Sequence, residues 1–464
     1  YRSLGMTDTE KAPLANDKEE KVTLPMEKVA EVEPFLQEGE PTDKPVDKWS
    51  LVYLIIFLHG IGTLMPWNMF LTIAPSYYVD YKMKTFNETG SGMDKTWFSE
   101  NYMTAQNVCS QLPNLLLNLI NIFIVVKGDL TKRIGISLSV VGAAVLFTMS
   151  FIYMDTWSWQ AGFFVLTLIS VIVLNGTNGI YQNSIFGLVS DFPFKYTNAV
   201  IIGNNFCGTF VSIVSIISIY LFDTIEMRAM VYFGISLLTI ACCFASFFTL
   251  KKLPFYRHYA KNCQKGVEDG TEVEEEKGVT LMEFWLTFKE GWIGFTNVFL
   301  VFFVTLTIFP VTMINVEADK DNFLYTIFGG SLYIPVMVFL LFNLFAFIGS
   351  MLGSYKQVIH HDHMRIYVYI RVLLIPAYLF LNYLPDERGI LPVLCTSNWC
   401  YLILGLIMSL SSGYLSSLSM MYITRYVSAE RTRTALMMGA FFLISGIVAG
   451  ILFAAVLAAL VSLF

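Results

Sequence analysis

The sequence predicts an all-α polytopic membrane protein, and two observations carry that reading. Of its 464 residues 55% are hydrophobic and only 14% charged, with a mean hydropathy of +0.59, whereas a soluble domain of this size carries roughly 25% charged residues. The apolar residues also fall in blocks of about 20, the length a helix needs to cross the hydrocarbon of a bilayer.

Residues 1–48 form a polar, acidic tail without the apolar core of a cleaved signal peptide, expected to be disordered and cytoplasmic. The chain opens on Tyr1 and not on Met, so a few residues are expected before it. About eleven spans follow, at 50–74, 104–126, 134–154, 161–185, 199–222, 229–249, 292–314, 331–354, 366–383, 398–422 and 435–462. The longest hydrophilic break among them, 250–290, holds KKLPFYRHYAKNCQKG and the acidic run VEDGTEVEEEKG. It reads as a cytoplasmic linker between a six-helix bundle (49–249) and a five-helix bundle (291–464), the division of a two-bundle carrier.

Lys and Arg set the orientation. With the tail inside, inner segments hold 23 of them against 6 outside, and 16 against 6 without the tail. The N-terminus is therefore expected in the cytoplasm and, with an odd span count, the C-terminus outside. Asn87-Glu88-Thr89 then falls in the first outer loop as a glycosylation sequon. The net charge of −6 argues against nucleic acid as a partner. Seven cysteines show no ligand spacing; Cys109, Cys207, Cys242 and Cys243 lie in apolar runs, while Cys395 and Cys400 could pair if their loop is extracytoplasmic.

The most informative residues inside the spans are amides. Gln111, Asn114, Asn118 and Asn121 recur on one face of the second span, and Asn175, Asn178 and Gln182 on one face of the fourth. An amide facing lipid costs several kcal/mol, so each either bonds a neighbouring helix or lines a wet cavity. Two aligned stripes favour the cavity, and amides suit a permeant bearing carbonyls, ring nitrogens and hydroxyls. No Asp or Glu lies in the apolar body of a span, which argues for passive transport, since coupled carriers use buried carboxylates. Arg371, about a turn from the inner end of its span, reads as structural, snorkelling or capping carbonyls. His59 reads as a satisfied interior histidine, and Gly446 and Gly450 as a close-packing motif, with Gly203 and Gly208 doing the same for the fifth span. HHDH at 360–363 reads as a polar loop. The sequence carries no Walker loop, no metal cluster and no nucleophile–base arrangement, so neither a cofactor nor enzyme activity is expected.

GIGTLMPWN (60–68), YQNSIFGL (181–188), IPVMVFLLFN (334–343), RVLLIP (371–376), SSGYLSSL (411–418) and GAFFL (439–443) together resemble the equilibrative nucleoside transporters, solute carrier family 29. The resemblance spans about residues 48–464 and implies a major-facilitator-like fold of six plus five helices. It also implies Trp67 packing near the permeant, Gln182 bonding the nucleobase, Leu71 and Phe339 in an outer gate, and Arg133 at an inner gate. This chain departs from the family where an Asp and an Arg normally address the ribose, reading Ala346 and Ser350. It departs again at Asn205, Ser412 and Arg433, where Gly, Asn and Glu are usual.

The combined reading is a facilitative carrier of nucleosides such as adenosine and uridine, with Trp67, Gln111, Gln182, Asn343 and Ser350 around a central site. A carrier of nucleobases or another uncharged polar solute, and a non-transporting receptor or scaffold, are the alternatives. A monomeric plasma-membrane glycoprotein is expected, with an endolysosomal membrane as the second location. On this topology an antibody reaches a tag at Phe464 but not one at Tyr1 on intact cells, and Asn87→Gln removes a glycan. Both tags on one side would overturn the odd span count.

Overall fold

Helix lengths along the chain are set by where capping groups sit as much as by where the apolar runs sit. A computed structural model describes residues 45–86, 93–94, 96–123, 130–190, 192–265, 279–385, 388–389 and 391–463. The first 44 residues, the Asn87 sequon and the acidic run of the linker lie outside the described residues. The elements are α1 (Leu51–Ala74), β1 (Thr85–Phe86), β2 (Met93–Asp94), α2 (Trp97–Phe123), α3 (Leu130–Ser150), α4 (Gln160–Val189), α5 (Phe194–Leu221), α6 (Ile225–Leu250) and α7 (Pro254–Lys265). The chain continues through α8 (Leu281–Ile308), the short α9 (Val311–Ile314) and α10 (Phe323–Phe328), α11 (Leu341–Tyr355), α12 (Met364–Ile370), α13 (Leu374–Leu379), α14 (Asn398–Tyr426) and α15 (Thr432–Leu463). β1 and β2 form one antiparallel hairpin.

Nine helices among the described residues are long and apolar enough to cross a membrane. Two expected spans fall short of that standard for physical reasons. The helix α2 is 27 residues long, but its amides depress its hydropathy. The 366–383 span is helical in three pieces, α12, a 3-10 turn at Arg371–Leu373, and α13, because Pro376 has no N–H to give the Val372 carbonyl. Several helices start earlier than the apolar pattern suggests. Thr280 Oγ1 accepts from the Glu283 N–H at 3.1 Å and caps the start of α8, and ahead of α2 the N–H of Thr96 bonds the Ser99 hydroxyl while the N–H of Ser99 bonds the Thr96 hydroxyl. Asp47 accepts from the N–H groups of Val52 and Tyr53 and from the Tyr196 hydroxyl, fixing the start of α1 on α5. The linker contains α7, whose Phe255 and Tyr256 are buried against Phe192 and Tyr196.

Side-by-side packing follows one scheme in both halves. The first and fifth helices pair (α1 with α5), as do the second and fourth (α2 with α4); after the linker, α8 pairs with α15 and α11 with α14 in the same order. Each pair runs parallel, and glycines let the backbones touch: Gly60 on Gly203, Gly179 on Asn114, Gly446 and Gly450 on Phe299 and Phe303, and Gly349 and Gly413 across α11 and α14. Contacts at two levels, among others, join the halves. Asn343 of α11 fills the space left by Gly208 on α5, and Met437 of α15 lies against Gly187 and Asn183 of α4. Beyond α1 and before α11 the chain widens into π turns, Pro75–Lys82 and Ile334–Leu340. The disulfide Cys395–Cys400 closes the turn into α14, beside Arg388, whose guanidinium donates to the carbonyls of Leu379, Leu381, Tyr383, Leu391 and Pro392.

A Cβ at Gly413 would collide with the Ala346 carbonyl, whereas one at Gly234 meets nothing within 4 Å. Gly413→Ala should therefore cost about 1–3 kcal/mol through overpacking. Gly234→Ala should be neutral or stabilise by up to about 1 kcal/mol through helix propensity. Thermal unfolding of the detergent-purified variants measures both.

Candidate functional site

The two amide stripes divide by hydrogen bonding. Asn118 Nδ2 donates to the Gly179 carbonyl at 3.4 Å, Asn121 Nδ2 to Asn183 Oδ1 at 2.8 Å, and Asn183 Nδ2 to Asn118 Oδ1 at 3.2 Å. Asn183 also reaches the Met437 carbonyl of α15 at 3.5 Å. Asn178 donates to the Thr63 carbonyl of α1, and Asn175 to Val171 in its own helix at 3.0 Å. All of these but Asn175 bind helix to helix, so the stripes are not wholly the cavity lining that their alignment suggests. Asn114 is held in the same contact by Gly179, its Oδ1 buried without a partner.

Gln111 and Gln182 differ from the rest. They are 9% and 3% exposed, yet among the described residues neither side chain makes a hydrogen bond, and neither amide head is sealed from solvent. A buried amide with both functions free is costly unless something bonds it. Trp67 is half-buried on α1 at the edge of the main apolar core. Asn343, also half-buried, donates to the Phe339 carbonyl at 2.9 Å and to Ser212 Oγ on α5 at 3.2 Å, which ties the two halves at that depth.

Cross-helix contacts fix the spacing. Helices α1 and α4 run antiparallel, with Asn178 at Thr63 and the Tyr181 hydroxyl 2.6 Å from His59 Nδ1. Trp67 lies four residues beyond Thr63, and Gln182 lies four beyond Asn178 in the opposite direction. At about 1.5 Å per residue they are roughly 12 Å apart along the axis. One molecule contacting both must be elongated, with an apolar face for the indole and acceptors or donors for the amide.

Other expected residues take different places. Ser350 is fully buried and its hydroxyl donates to Phe347 of its own helix at 2.8 Å. Ala346 is 1% exposed with its backbone on Gly413. Ser350 shares a helical face with Asn343, but close packing on α14 seals α11 at that depth, so in this conformation Ser350 does not face open space. Arg371 does not snorkel. It is 3% exposed, and it donates to Ser411 Oγ at 2.9 Å, the Val301 carbonyl at 2.7 Å, Thr305 Oγ1 at 2.8 Å and the Met408 carbonyl at 3.2 Å. Carbonyls and hydroxyls of α8 and α14 thus solvate the cation in place of a carboxylate. Phe339 sits in the second π turn with its ring edge-on to Phe309, 5.6 Å between centroids, and Leu71 is half-buried on α1. Arg133 keeps Nε and Nη2 buried and without partners among the described residues, repelled by Arg433. On that side the halves meet instead through Phe123 on Phe284, at 5.2 Å, and through the Asn183–Met437 contact.

Sequence reasoning missed Asn183, which joins three helices, and the Thr63–Asn204 bond of 2.8 Å between α1 and α5. It passed over the hydroxyls of Thr305, Ser411 and Ser412, which form the Arg371 shell. The signal for Asn183 was present, since it is adjacent to Gln182 and an asparagine in an apolar run needs a partner. Asn183→Leu should lower stability by about 1–3 kcal/mol, the loss of several buried bonds, while Gln182→Ala should leave the melting temperature near that of the parent. A large fall for Gln182→Ala would make it a packing residue.

The nucleoside transporter family model matches residues 168–459. Equilibrative nucleoside transporter 3 of Rattus norvegicus is 26% identical over 447 residues, covering 90% of this chain and 92% of that protein. Equilibrative nucleoside transporter 1 of Homo sapiens is 26% identical over 467 residues, covering 90% of this chain and 99% of that protein. A crystal structure of the human organic anion transporter MFSD10 (TETRAN) superposes with a TM-score of 0.50 at 17% identity, covering 89% of this chain and 94% of that one. That likeness is one of fold.

Proposed function

Because this chain belongs to the nucleoside transporter family, whose members are multi-pass membrane carriers and not enzymes, we propose that it moves nucleosides down their gradients by alternating access. The observation that carries this is the pair Gln111 and Gln182, buried amides that make no side-chain hydrogen bond among the described residues and whose heads, unlike those of the sealed and unpaired Gln106 and Asn198, are not closed off from solvent. Trp67 supplies a platform for the base, Gln182 and Gln111 read its polar edge, and Asn343 borders the path where α5 and α11 meet. The halves 49–249 and 291–464 act as rocking bundles, a reading supported by the repeated first-with-fifth and second-with-fourth pairing. Motion then requires the Asn183–Met437 and Phe123–Phe284 contacts to open on one side. Leu71 and Phe339, in or beside the π turns, close the other.

The N-terminus is placed in the cytoplasm and the C-terminus outside, in a plasma-membrane monomer glycosylated at Asn87. A second reading, a nucleobase carrier, is favoured by one observation: Ala346 and Ser350 offer no charge and no open surface to a ribose. Uptake into liposomes of labelled adenosine, uridine and hypoxanthine separates the two.

For a nucleoside carrier, Gln182→Ala weakens apparent affinity by roughly 5- to 150-fold, the effect of about 1–3 kcal/mol for an unpaired buried group. Accumulation stops when the two sides are equal, since no Asp or Glu lies in the apolar body of a span to couple an ion. Matched ribo- and deoxyribonucleosides compete within a few-fold of each other. Uphill uptake that collapses with a sodium or proton gradient overturns the passive mechanism, and wild-type kinetics in Gln182→Ala remove that residue from the site.

A further inference from the structure

The turn joining α11 to α12 lies outside the transport path, yet it is built with more precision than a polar connector needs. Three tyrosines of α14 hold it. The Tyr414 hydroxyl accepts from the Val358 N–H at 2.9 Å and donates to the Lys356 carbonyl at 3.1 Å. Tyr422 and Tyr426 donate to the carbonyls of Ile359 and His361, each at 2.8 Å. What these bonds present is a cluster of three metal-binding side chains. His360 Nδ1 is 3.2 Å from Asp362 Oδ2 and His361 Nε2 is 3.3 Å from Asp362 Oδ1, and one donor atom from each of the three residues lies within 4.8 Å of the others.

From these contacts we infer that His360, His361 and Asp362 form a binding site for a borderline divalent transition metal such as Zn2+. A tetrahedral ion with bonds of about 2.0–2.1 Å needs ligand atoms about 3.3 Å apart; each histidine stands at that distance from one oxygen of the carboxylate, so a small rotation of the rings brings all three donors onto one ion. His361 has its Nδ1 buried without a hydrogen-bond partner among the described residues and its ring edge-on to Tyr422 and Tyr426, so the nitrogen it turns toward Asp362, and toward an ion there, is Nε2. Two neutral imidazoles and a single carboxylate suit Zn2+, Cu2+ or Ni2+ and not the hard, oxygen-seeking Mg2+ or Ca2+. The nearby Arg425 guanidinium, which acts on His361, further disfavours ions that depend on net negative charge. The remaining coordination positions open to water, since His360 and Asp362 are exposed. All three ligands sit on one turn, so the ion stiffens the α11–α12 connection without locking the halves together.

The test uses the full chain, purified in detergent with a tag that contains no histidine. Co2+ is added alone and followed by its visible absorption, then displaced by Zn2+. One equivalent of Co2+ should bind with the intensity of a tetrahedral or five-coordinate site, and millimolar Mg2+ or Ca2+ should not displace it. His361→Ala and, separately, the exposed Asp362→Asn should each weaken binding at least about tenfold, no less than the loss of an outer-shell partner causes. Uptake by both variants should match the parent, which shows that they fold. Absence of a Co2+ spectrum in the parent, or unchanged affinity in either folded variant, overturns the proposal; the latter would assign binding to other residues such as Cys242.

Discussion

An amide placed in an apolar span has two stable fates, a bond to another helix or contact with water in a path, because nothing else in hydrocarbon satisfies it. That constraint organises this protein. Asn118, Asn121 and Asn183 take the first fate and join α2, α4 and α15. Asn178 does the same between α4 and α1. Among the amides left unbonded, Gln106 and Asn198 are sealed inside the protein, whereas Gln111 and Gln182 keep their heads open to solvent, and that difference is what the proposed site rests on.

The same accounting explains why the helices come so close. Between helices in lipid there is little hydrophobic gain, so contact must come from packing and from short polar bonds. Asn343 can reach Ser212 only because Gly208 leaves room, and α11 lies on α14 only because Gly349 and Gly413 carry no side chain. Close approach has a consequence for the permeant. It seals Ala346 and Ser350 inside α11–α14, so sequence positions that share a face with Asn343 do not share its exposure.

Much of the fold was legible in the sequence, since the nine helices among the described residues that are long and apolar enough to cross a membrane coincide with nine of the expected spans to within several residues at most ends. The misses have local causes. The early start of α8 depends on the Thr280 cap and not on hydropathy. The break at Arg371–Leu373 follows Pro376, whose effect within an otherwise apolar run is easily passed over. The candidate site was legible only by residue type. Spacing placed Gln111, Asn114, Asn118 and Asn121 on one face, but periodicity along one helix cannot reveal which of them meets Gly179 or Asn183 on the next. For Arg371 the sequence left snorkelling and carbonyl capping open, and the side chain binds the Val301 and Met408 carbonyls; the hydroxyls that complete its shell come from helices 66 and 40 residues away in the chain, which periodicity along one helix cannot reveal.

The way Arg371 is solvated bears on what the path can carry. Its charge is bound by two carbonyls and two hydroxyls, all held by α8 and α14. Hydrogen bonds to a charged donor are roughly twice as strong as neutral ones, so freeing the guanidinium for a permeant would forfeit several of them and leave their carbonyls unpaired. The cation is therefore a fixed part of the second half and does not act as a mobile counter-ion. With Ala346 and Ser350 in place of charged residues and no carboxylate in the apolar body of a span, the site proposed between Trp67 and Gln182 is electrically neutral. A neutral slot admits an uncharged nucleoside at the cost of exchanging its water for amides and an indole. It gives a phosphorylated one no compensation for losing the hydration of two negative charges, a loss far larger than any amide returns. Discrimination between a nucleoside and its phosphate thus follows from the absence of charge in the path and requires no dedicated excluding residue.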